Sequence, residues 1–361
     1  MIILDVKLNN IYGFDDFHIN FTYPKKVVGS LIENEHLDGR ERFRYLKAVI
    51  LMGANAAGKT SFGKALLKIF NAINESNEAY FKELVTGDTS AGFQVDFINE
   101  GFTLHRVCGT VNKQNVELQY FNAEIGVSES YEKTVSKLKE RTDEIGGSLK
   151  KLKKAVGALN YRFAYPEIES SLKLSDIKNE VLLKTLRAVI GTLDPTLTDI
   201  SMAKDLKDSF IIRRRSQEII IQEGKLLNKD ILSSGTAEGI DVSVFLASML
   251  SGNGCFYYCD EHFSYIQSDI EKRIFGLMLE RLGKNDQLIF TTHNTDMLDL
   301  NLPKHTFAFL KKEIEDGEFR VSAVFASEIL KRNTDSVKCA LENDVFGSIP
   351  DDHLLDELEV E

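Results

Sequence analysis

A glycine-rich stretch between an apolar run and a helical pattern constrains this chain more than any other feature. Residues 53–60 follow the pattern G-x-x-x-x-G-K-T, directly after the apolar residues 48–52 and before a helical spacing of apolar residues over 61–73. The glycines allow a tight turn whose backbone N–H groups converge, and the following helix adds the positive end of its dipole. We therefore predict a phosphate-binding loop between a buried strand and a helix.

The side chains of this loop suit a nucleoside triphosphate with its metal ion. Lys59 is placed to lie along the β- and γ-phosphates, and the Thr60 hydroxyl is placed to ligate Mg²⁺. The predicted nucleotide contacts are Gly53, Asn55, Ala56, Ala57, Gly58, Lys59, Thr60 and Ser61.

The composition indicates a folded protein without a membrane segment. Of the 361 residues, 43% are hydrophobic, which is enough for a packed core in one large domain or in two to three smaller ones. No apolar run reaches the roughly 20 residues of a membrane span, and the acidic Asp5 lies where a signal peptide has its apolar segment. We expect a cytoplasmic protein with no membrane partner.

Charge and cysteine content exclude further classes. The net charge of −11 argues against strong nonspecific nucleic-acid binding by the whole chain, although it is compatible with a local basic patch. The cysteines are few and scattered, so the sequence predicts neither disulfides nor a zinc site. They are Cys108, Cys255, Cys259 and Cys339.

Strand-like runs occupy both sides of the phosphate-binding loop. Residues 3–8 and 18–21 predict a hairpin, whereas residues 24–46 show little periodicity and are predicted to be a loop or insertion. Three later runs, divided by turn residues, predict an antiparallel meander over 91–97, 102–107 and 116–121. The candidates for a water-positioning glutamine in this region are Gln94, Gln114 and Gln119.

A basic segment follows the meander. Apolar residues over 127–159 keep the spacing of a heptad seam, which Gly146-Gly147 interrupts. The segment is therefore either one long helix with a weak point or two short helices folded back on each other. Its excess of basic residues over 133–162 indicates either a solvated helical face or an arm that contacts DNA or an acidic partner. The basic residues are Lys133, Lys137, Lys139, Arg141, Lys150, Lys151, Lys153, Lys154 and Arg162.

Two other charged stretches have open interpretations. Residues 209–213 and 218–222 predict a hairpin that turns around 214–216, and its arginines either contact phosphate or are solvated. The acidic residues 351–361 are either a frayed tail or a mimic of nucleic acid that docks on a basic partner.

Two motifs in the second half of the chain suit the same chemistry as the phosphate-binding loop. Ser233 and Gly235 lie at the start of the helical pattern over 237–250, which makes a second anion-binding surface or a plain helix start. Asp260 and Glu261 end an apolar strand about one helix later. Asp260 would hold Mg²⁺ directly or through water, and Glu261 would orient or deprotonate the attacking water, although such pairs also serve as helix caps.

A third motif is a histidine at the end of another apolar strand. His293 follows the run 287–292 and is placed to hydrogen-bond a γ-phosphate. A lone histidine in this position is usually structural, but here it is the fourth element of a fixed order, which favours the functional interpretation.

The order of these four motifs resembles that of the ABC-type ATPases, in particular the soluble SMC, RecF and OLD-like branch. Residues 53–60 are similar to the Walker A loop, 232–236 to the LSGGQ signature, and 255–261 to Walker B with its catalytic glutamate. His293 is similar to the switch histidine, and residues 260–266 stand where the family has its D-loop.

The resemblance implies an α/β fold: a P-loop NTPase with an ABC-type head, which has a mixed sheet plus an antiparallel β-subdomain and here carries a short helical or coiled-coil insertion. We expect four segments. Residues 1–125 and 166–350 form the two halves of the head, 126–165 the basic helical arm, and 351–361 the acidic tail.

The resemblance also implies a mechanism with ATP and Mg²⁺ as cofactors. Two copies are expected to close head to tail, so that Ser233 and Gly235 of one copy cap the nucleotide bound by the other. Glu261 and His293 are the expected catalytic residues, and Thr60 and Asp260 the expected metal ligands. ATP would hold the dimer together and hydrolysis would release it.

The signature departs from LSGGQ at Ser234 and Thr236, a form similar to OLD-like and defence-associated ATPases. The sequence has no nuclease-type acidic cluster beyond 260–261. We therefore expect an ATPase that regulates a separate effector, such as a TOPRIM-type nuclease or a toxin, in anti-phage defence. The alternative is a RecF-like or SMC-like ATPase that binds DNA through the basic arm. A transporter subunit is the third class, and it would need a membrane-embedded partner.

Overall fold

The structure is a computed structural model. It describes residues 1–25, 30–165, 177–197, 199–203, 209–214, 217–222, 225–226, 232–252, 254–315, 318–332 and 334–349. The predicted turn residues 215–216 and the acidic tail 351–361 lie outside the described residues.

Strands and helices alternate irregularly along the chain. The strands are β1 (Ile2–Asn9), β2 (Phe17–Asn20), β3 (His36–Leu37), β4 (Arg40–Arg44), β5 (Ala48–Gly53), β6 (Ala91–Ile98), β7 (Thr103–Val111), β8 (Val116–Glu124), β9 (Lys139–Glu140), β10 (Tyr161–Ala164), β11 (Asp199–Met202), β12 (Ser209–Arg214), β13 (Gln217–Gln222), β14 (Lys225–Leu226), β15 (Phe256–Asp260), β16 (Gln287–Thr291), β17 (Phe307–Glu315) and β18 (Glu318–Phe325). The helices are α1 (Lys59–Glu75), α2 (Ala79–Lys82), α3 (Tyr131–Val135), α4 (Thr142–Ile145), α5 (Leu149–Val156), α6 (Asn179–Leu193), α7 (Ser234–Ser251), α8 (Ser268–Arg281), α9 (Ala326–Ile329) and α10 (Val337–Glu342).

The chain divides into two compact units. The terminal unit comprises Ile2–Leu159 and Leu298–Glu361, and the central unit comprises Asn160–Met297 with Met1. The boundaries predicted at 125, 165 and 350 remain predictions.

The larger sheet of the terminal unit is antiparallel and has the strand order β2-β1-β6-β7-β8-β9. The hairpin predicted near the N-terminus is β1 with β2, and the predicted meander is β6, β7 and β8. Both predictions are confirmed, because the turn residues between these runs end each strand where the sequence pattern places the turn.

The strand that precedes the phosphate-binding loop belongs to a second layer of the terminal unit. All residues of β5 except its last, Gly53, are buried. This strand pairs in parallel with β17, which continues as an antiparallel hairpin with β18. A strand that is apolar throughout is expected where both faces of a sheet are covered.

Residues 24–46 were predicted to be a loop or insertion, and the loop alternative was wrong for the second half of the segment. A short hairpin, β3 with β4, occupies 36–44. Its Phe43 and the neighbouring Tyr45 are fully buried, in a cluster that also contains Ile2 and Leu104. Tertiary packing of two aromatic side chains therefore stabilises a strand that the charged residues around them obscured in the sequence.

The heptad seam over 127–159 forms neither of the two predicted arrangements. Three short helices, α3, α4 and α5, lie there with the two-residue strand β9. Val127, the first residue of the seam, is 70% exposed, and Val135 packs on the buried cluster that contains Phe43 and Tyr45. Gly146 ends α4 with a left-handed backbone, so the glycine pair acts as a helix stop.

The central unit combines a parallel layer with a small antiparallel sheet. Strand β15 pairs in parallel with β10 on one side and β16 on the other. Strands β11 to β14 form the antiparallel sheet, which confirms the predicted hairpin of β12 and β13. Helices α6 and α7 pack against each other over an apolar core that includes Leu186, Phe210 and Val244.

The described residues contain no helix that is both long and apolar enough to cross a bilayer.

Candidate active site

The turn between β5 and α1 has a backbone that only glycine accommodates at two positions. Gly53 and Gly58 have φ angles of 152° and 105°. A Cβ at Gly53 would lie 2.7 Å from the carbonyl oxygen of Leu310, and one at Gly58 would lie 3.0 Å from the Phe14 ring. The two glycines of the motif thus permit both the turn and its close packing.

Lys59 places a buried cation inside this turn. Its side chain is part of a residue that is only 3% exposed, and Nζ donates to the carbonyl oxygens of Gly53 at 2.8 Å and Ala54 at 3.2 Å. Helix α1 begins at Lys59 with no side-chain cap and no acidic residue in its first turn. The ammonium and the positive helix end therefore reinforce each other, which is the electrostatic requirement for an anion site.

The other predicted nucleotide contacts lie in the same turn or in the first turn of α1. Asn55 and Ala56 are exposed, Ala57 is buried, and Thr60 and Ser61 are half-buried. Ala56 adopts a left-handed backbone with φ of 62°. Residues 53–61 fit a phosphate group, because they include no acidic side chain and because a side chain at Gly53 or Gly58 would be crowded.

In the central unit, the ends of two parallel strands bring a carboxylate and a hydroxyl together. Asp260 ends β15 and is paired in register with Thr291, the last residue of β16. The Thr291 hydroxyl donates to Asp260 Oδ1 at 2.8 Å, and Asp260 is 2% exposed. Carboxyl ends of parallel strands are where open α/β sheets bind ligands.

A carboxylate and an imidazole that follow these two strands form a pair: Glu261 comes directly after β15, and His293 lies two residues after β16. Glu261 Oε1 lies 2.9 Å from His293 Nε2, and the two side chains are 27% and 40% exposed. The backbone of Glu261 is left-handed, with φ of 48°, and its N–H donates to the Thr291 hydroxyl at 3.1 Å. Thr291 thus contacts both acidic residues, and three of the predicted site residues, Asp260, Glu261 and His293, meet at one edge.

A buried carboxylate fixes the turn that carries His293. Glu271 on α8 accepts from the Thr292 hydroxyl at 2.8 Å and from the Asn294 side-chain amide at 2.6 Å. The same amide also donates to the Ser268 hydroxyl at 2.9 Å. Burial raises the pKa of Glu271, and these two hydrogen bonds to its carboxyl oppose the rise.

Sequence reasoning missed Thr291 and Glu271. A threonine at the end of a strand has no distinguishing pattern. Glu271 did leave a signal, because it lies at helical spacing from the buried Ile274, Phe275 and Met278 and is therefore a charge on the apolar face of α8.

The signature-like residues form the N-terminus of α7. The Ser233 hydroxyl caps the helix by accepting from the backbone N–H of Thr236 at 3.2 Å. Ser233 and Ser234 are exposed, whereas Thr236 is 2% exposed. The prediction of a helix start is confirmed. The capping function of Ser233, Gly235 or both toward a second copy remains a prediction.

No described group of three or more histidine, cysteine or acidic side chains is arranged to hold a metal ion. The cysteines are free, and burial raises the pKa of Cys255 to about 11. The Asp260 carboxylate and the Thr60 hydroxyl are each the kind of hard oxygen ligand that Mg²⁺ prefers, and their role as its ligands remains a prediction.

The basic segment is only partly neutralised. Lys133 and Lys137 both contact Glu129, and Arg141 contacts Glu144. Among the four lysines of α5, Lys153 donates to the carbonyl of Asn74. The remaining three lysines of this helix are exposed: Lys150, Lys151 and Lys154.

Arg213, which lies on β12 beside the predicted turn, forms ion pairs with two carboxylates. It contacts Asp199 at 2.6 Å and Glu218 at 3.0 Å on neighbouring strands. These cross-strand pairs favour the solvated, structural interpretation of Arg213 over a phosphate contact.

No protein-family model and no curated protein matches the chain. Solved structures do match its fold. An Smc head bound to the C-winged helix domain of ScpA covers 91% of this chain and 100% of its own, with 15% identity and a TM-score of 0.54. The Pyrococcus furiosus Smc head with an extended coiled coil, bound to the C-terminal domain of ScpA, covers 91% and 97%, with 12% identity and a TM-score of 0.51. The recombination mediator RecF covers 88% and 97%, with 10% identity and a TM-score of 0.43.

The two Smc heads show that this chain has the P-loop fold of the ABC-type ATPase heads, which confirms the predicted fold class.

Proposed function

We propose that the protein is an ABC-type ATPase that binds and hydrolyses ATP with Mg²⁺. The observation that carries the proposal is the constellation of Asp260, Thr291, Glu261 and His293 at the ends of β15 and β16. A buried carboxylate suits a metal ion, and a half-exposed carboxylate paired with an imidazole suits the activation of water beside a phosphate.

The proposed division of labour follows from the position of each group. Lys59 and the N–H groups at the start of α1 bind the β- and γ-phosphates. Thr60 and Asp260 would each supply an oxygen ligand to Mg²⁺, and the ion would supply positive charge beside the transferred phosphoryl group. Glu261 orients the attacking water and accepts its proton. His293 hydrogen-bonds the γ-phosphate and, through its 2.9 Å contact, orients Glu261.

The chain acts as a dimer in this proposal. The exposed N-terminus of α7, with Ser233 and Gly235, would cap the nucleotide bound by a second copy, as the resemblance to the family implies. Two such sites form in a closed, two-fold symmetric pair. ATP then stabilises the pair, and hydrolysis opens it.

Turnover of ATP by the purified chain tests the enzymatic part. We expect Mg²⁺-dependent release of phosphate by the wild type and a loss of about 100-fold or more in Glu261→Gln and Lys59→Ala. Glu280→Gln on the exposed side of α8 is the matched control, because it makes the same chemical change away from the site. Equal rates in Glu261→Gln and Glu280→Gln would contradict the assignment of Glu261.

We further propose that ATP turnover regulates a separate effector, a TOPRIM-type nuclease or a toxin, in bacterial defence against phage. The signature form with Ser234 and Thr236 supports this, since it is similar to that of OLD-like and defence-associated ATPases. The test is phage plating on cells that carry the chain with its neighbouring genes. We expect protection with the wild type and loss of protection with Lys59→Ala; equal plating would refute the defence role.

The exposed lysines of α5 favour a second candidate function, ATP-dependent binding of DNA in repair or chromosome maintenance. Lys150, Lys151 and Lys154 lie on one short helix, so their charges act within one or two turns of duplex backbone. Binding of duplex DNA by the purified chain, weakened by salt, would support this function over regulation of an effector.

The experiment compares two triple variants with the same change of charge. Replacing the three exposed α5 lysines by glutamine should lower the slope of log affinity against log salt by about 2 to 3. The control replaces exposed lysines elsewhere in the terminal unit: Lys25, Lys113 and Lys331. Equal effects of the two triples would show that α5 is not the DNA site.

A further inference from the structure

A buried carboxylate ties α7 to the turn that follows Glu261. Glu238 lies one turn beyond the signature residues, and only 8% of its surface is exposed. Its Oε1 accepts from the backbone N–H of Ser264 at 3.2 Å, and its Oε2 accepts from the N–H of Tyr265 at 2.9 Å. Each carboxylate oxygen therefore holds one of two successive amides, which is a charge-assisted, two-point attachment.

A second contact joins the same two segments at backbone level. A Cβ on Gly235 would lie 2.6 Å from the carbonyl oxygen of Tyr265. The absence of a side chain at Gly235 lets the N-terminus of α7 approach this carbonyl, so the N–H side and the C=O side of Tyr265 are both held by α7. The start of α7 and residues 264–265 are therefore in direct contact through a side chain and through the backbone.

The same segment, residues 264–265, also contacts the backbone of Glu261. The Ser264 hydroxyl donates to the Glu261 backbone oxygen at 3.1 Å. Glu261 has a left-handed backbone, with φ of 48°, which is uncommon for a residue with a side chain. A path of direct contacts thus runs from the N-terminus of α7 through Glu238 and Ser264 to Glu261.

We propose that Glu238 is a positioning residue that transmits the engagement of α7 with a nucleotide to Glu261 of the same chain. The inference rests on the proposed ATPase function. In the closed pair, the α7 N-terminus contacts the nucleotide of the second copy, whereas Glu261 acts on the nucleotide of its own copy. Glu238 therefore couples the two sites, and it touches neither nucleotide.

The first test separates positioning from binding. Glu238→Gln keeps the size of the side chain but presents an amide group to one of the two N–H donors. We expect a fall in kcat of about 10- to 100-fold, with an unchanged KM for ATP, because the misplacement affects only the attacking water. ATP-dependent pairing, measured in a Glu261→Gln background, should also be unchanged. Glu280→Gln, on the exposed face of α8, is the control and should keep the wild-type kcat.

The second test examines the path. Ser264→Ala removes an exposed hydroxyl and carries little risk to folding. Because both changes interrupt one path, the double variant with Glu238→Gln should lose no more kcat than Glu238→Gln alone.

Additive losses, or a normal kcat in Glu238→Gln, would refute the coupling while leaving the ATPase function intact. Absence of turnover in the wild type would refute the proposed function and the coupling together.

Discussion

Replacing Thr291 by valine tests the hydrogen bonding of the site without reference to catalysis. Valine has the shape of threonine, so the change leaves no cavity and removes only the hydroxyl. That hydroxyl donates to the buried Asp260 carboxylate at 2.8 Å. It also accepts from the Glu261 N–H at 3.1 Å, but this N–H keeps a second acceptor, the Thr291 carbonyl, at 3.3 Å.

The expected cost therefore comes mainly from the bond to the carboxylate. A hydrogen bond to a charged group contributes about 1.5 to 3 kcal/mol, and we expect Thr291→Val to lower the free energy of unfolding by that amount. The assay is guanidinium unfolding followed by circular dichroism, with the slope m compared between variants to exclude a change in the denatured state.

The matched control is Thr306→Val. Thr306 is fully buried, and its hydroxyl has no hydrogen-bond partner among the residues that the structure describes. Removing an unsatisfied buried hydroxyl should leave stability unchanged or raise it by up to about 1 kcal/mol. Changes of the same sign and size in Thr291→Val and Thr306→Val would refute the reasoning.

Two further predictions concern the phosphate-binding loop and the buried histidines. Gly53→Ala places a Cβ 2.7 Å from the carbonyl oxygen of Leu310, so we expect loss of ATP binding in a fluorescent-nucleotide titration. Unchanged affinity for the nucleotide would contradict the assignment of residues 53–60 as the phosphate-binding loop. Burial lowers the pKa of His105 and of His262 from 6.5 to about 4. In the unfolded chain each imidazole binds a proton below about pH 6.5, whereas in the folded chain it stays neutral down to about pH 4. The stability of the folded state is therefore greatest above pH 6.5 and falls as the pH is lowered. We expect each histidine to cost about 2 kcal/mol at pH 5, and His262→Phe to reduce the difference in unfolding free energy between pH 7 and pH 5 by that amount; an unchanged difference would contradict it.

The phosphate-binding loop could be predicted because every signal for it is local. The strand, the two glycines and the helix start lie within about 20 residues, and their conformations follow from residue type. Glu261 and His293 are 32 positions apart, yet both follow apolar strands. Once those strands pair in parallel, their carboxyl ends and the residues after them meet at one edge.

The helical arrangement predicted from the heptad seam over 127–159 was wrong, because the spacing of apolar residues does not specify what a helix packs against. The helix stop at Gly146, the exposure of Val127 and the packing of Val135 depend on tertiary neighbours that the sequence pattern does not contain. Thr291 and Glu238 were missed for a related reason. Their roles come from contacts with residues about 26 to 31 positions away, and nothing in their own sequence surroundings marks them.

The measurement that tests the central claim most directly is the native mass of Glu261→Gln with ATP and Mg²⁺. We expect twice the 40.7 kDa of the single chain in the presence of nucleotide and the single-chain mass without it. Lys59→Ala in the same background should remain single under both conditions. A mass that does not respond to ATP would contradict the claim that nucleotide bound at residues 53–61 is capped by α7 of a second copy.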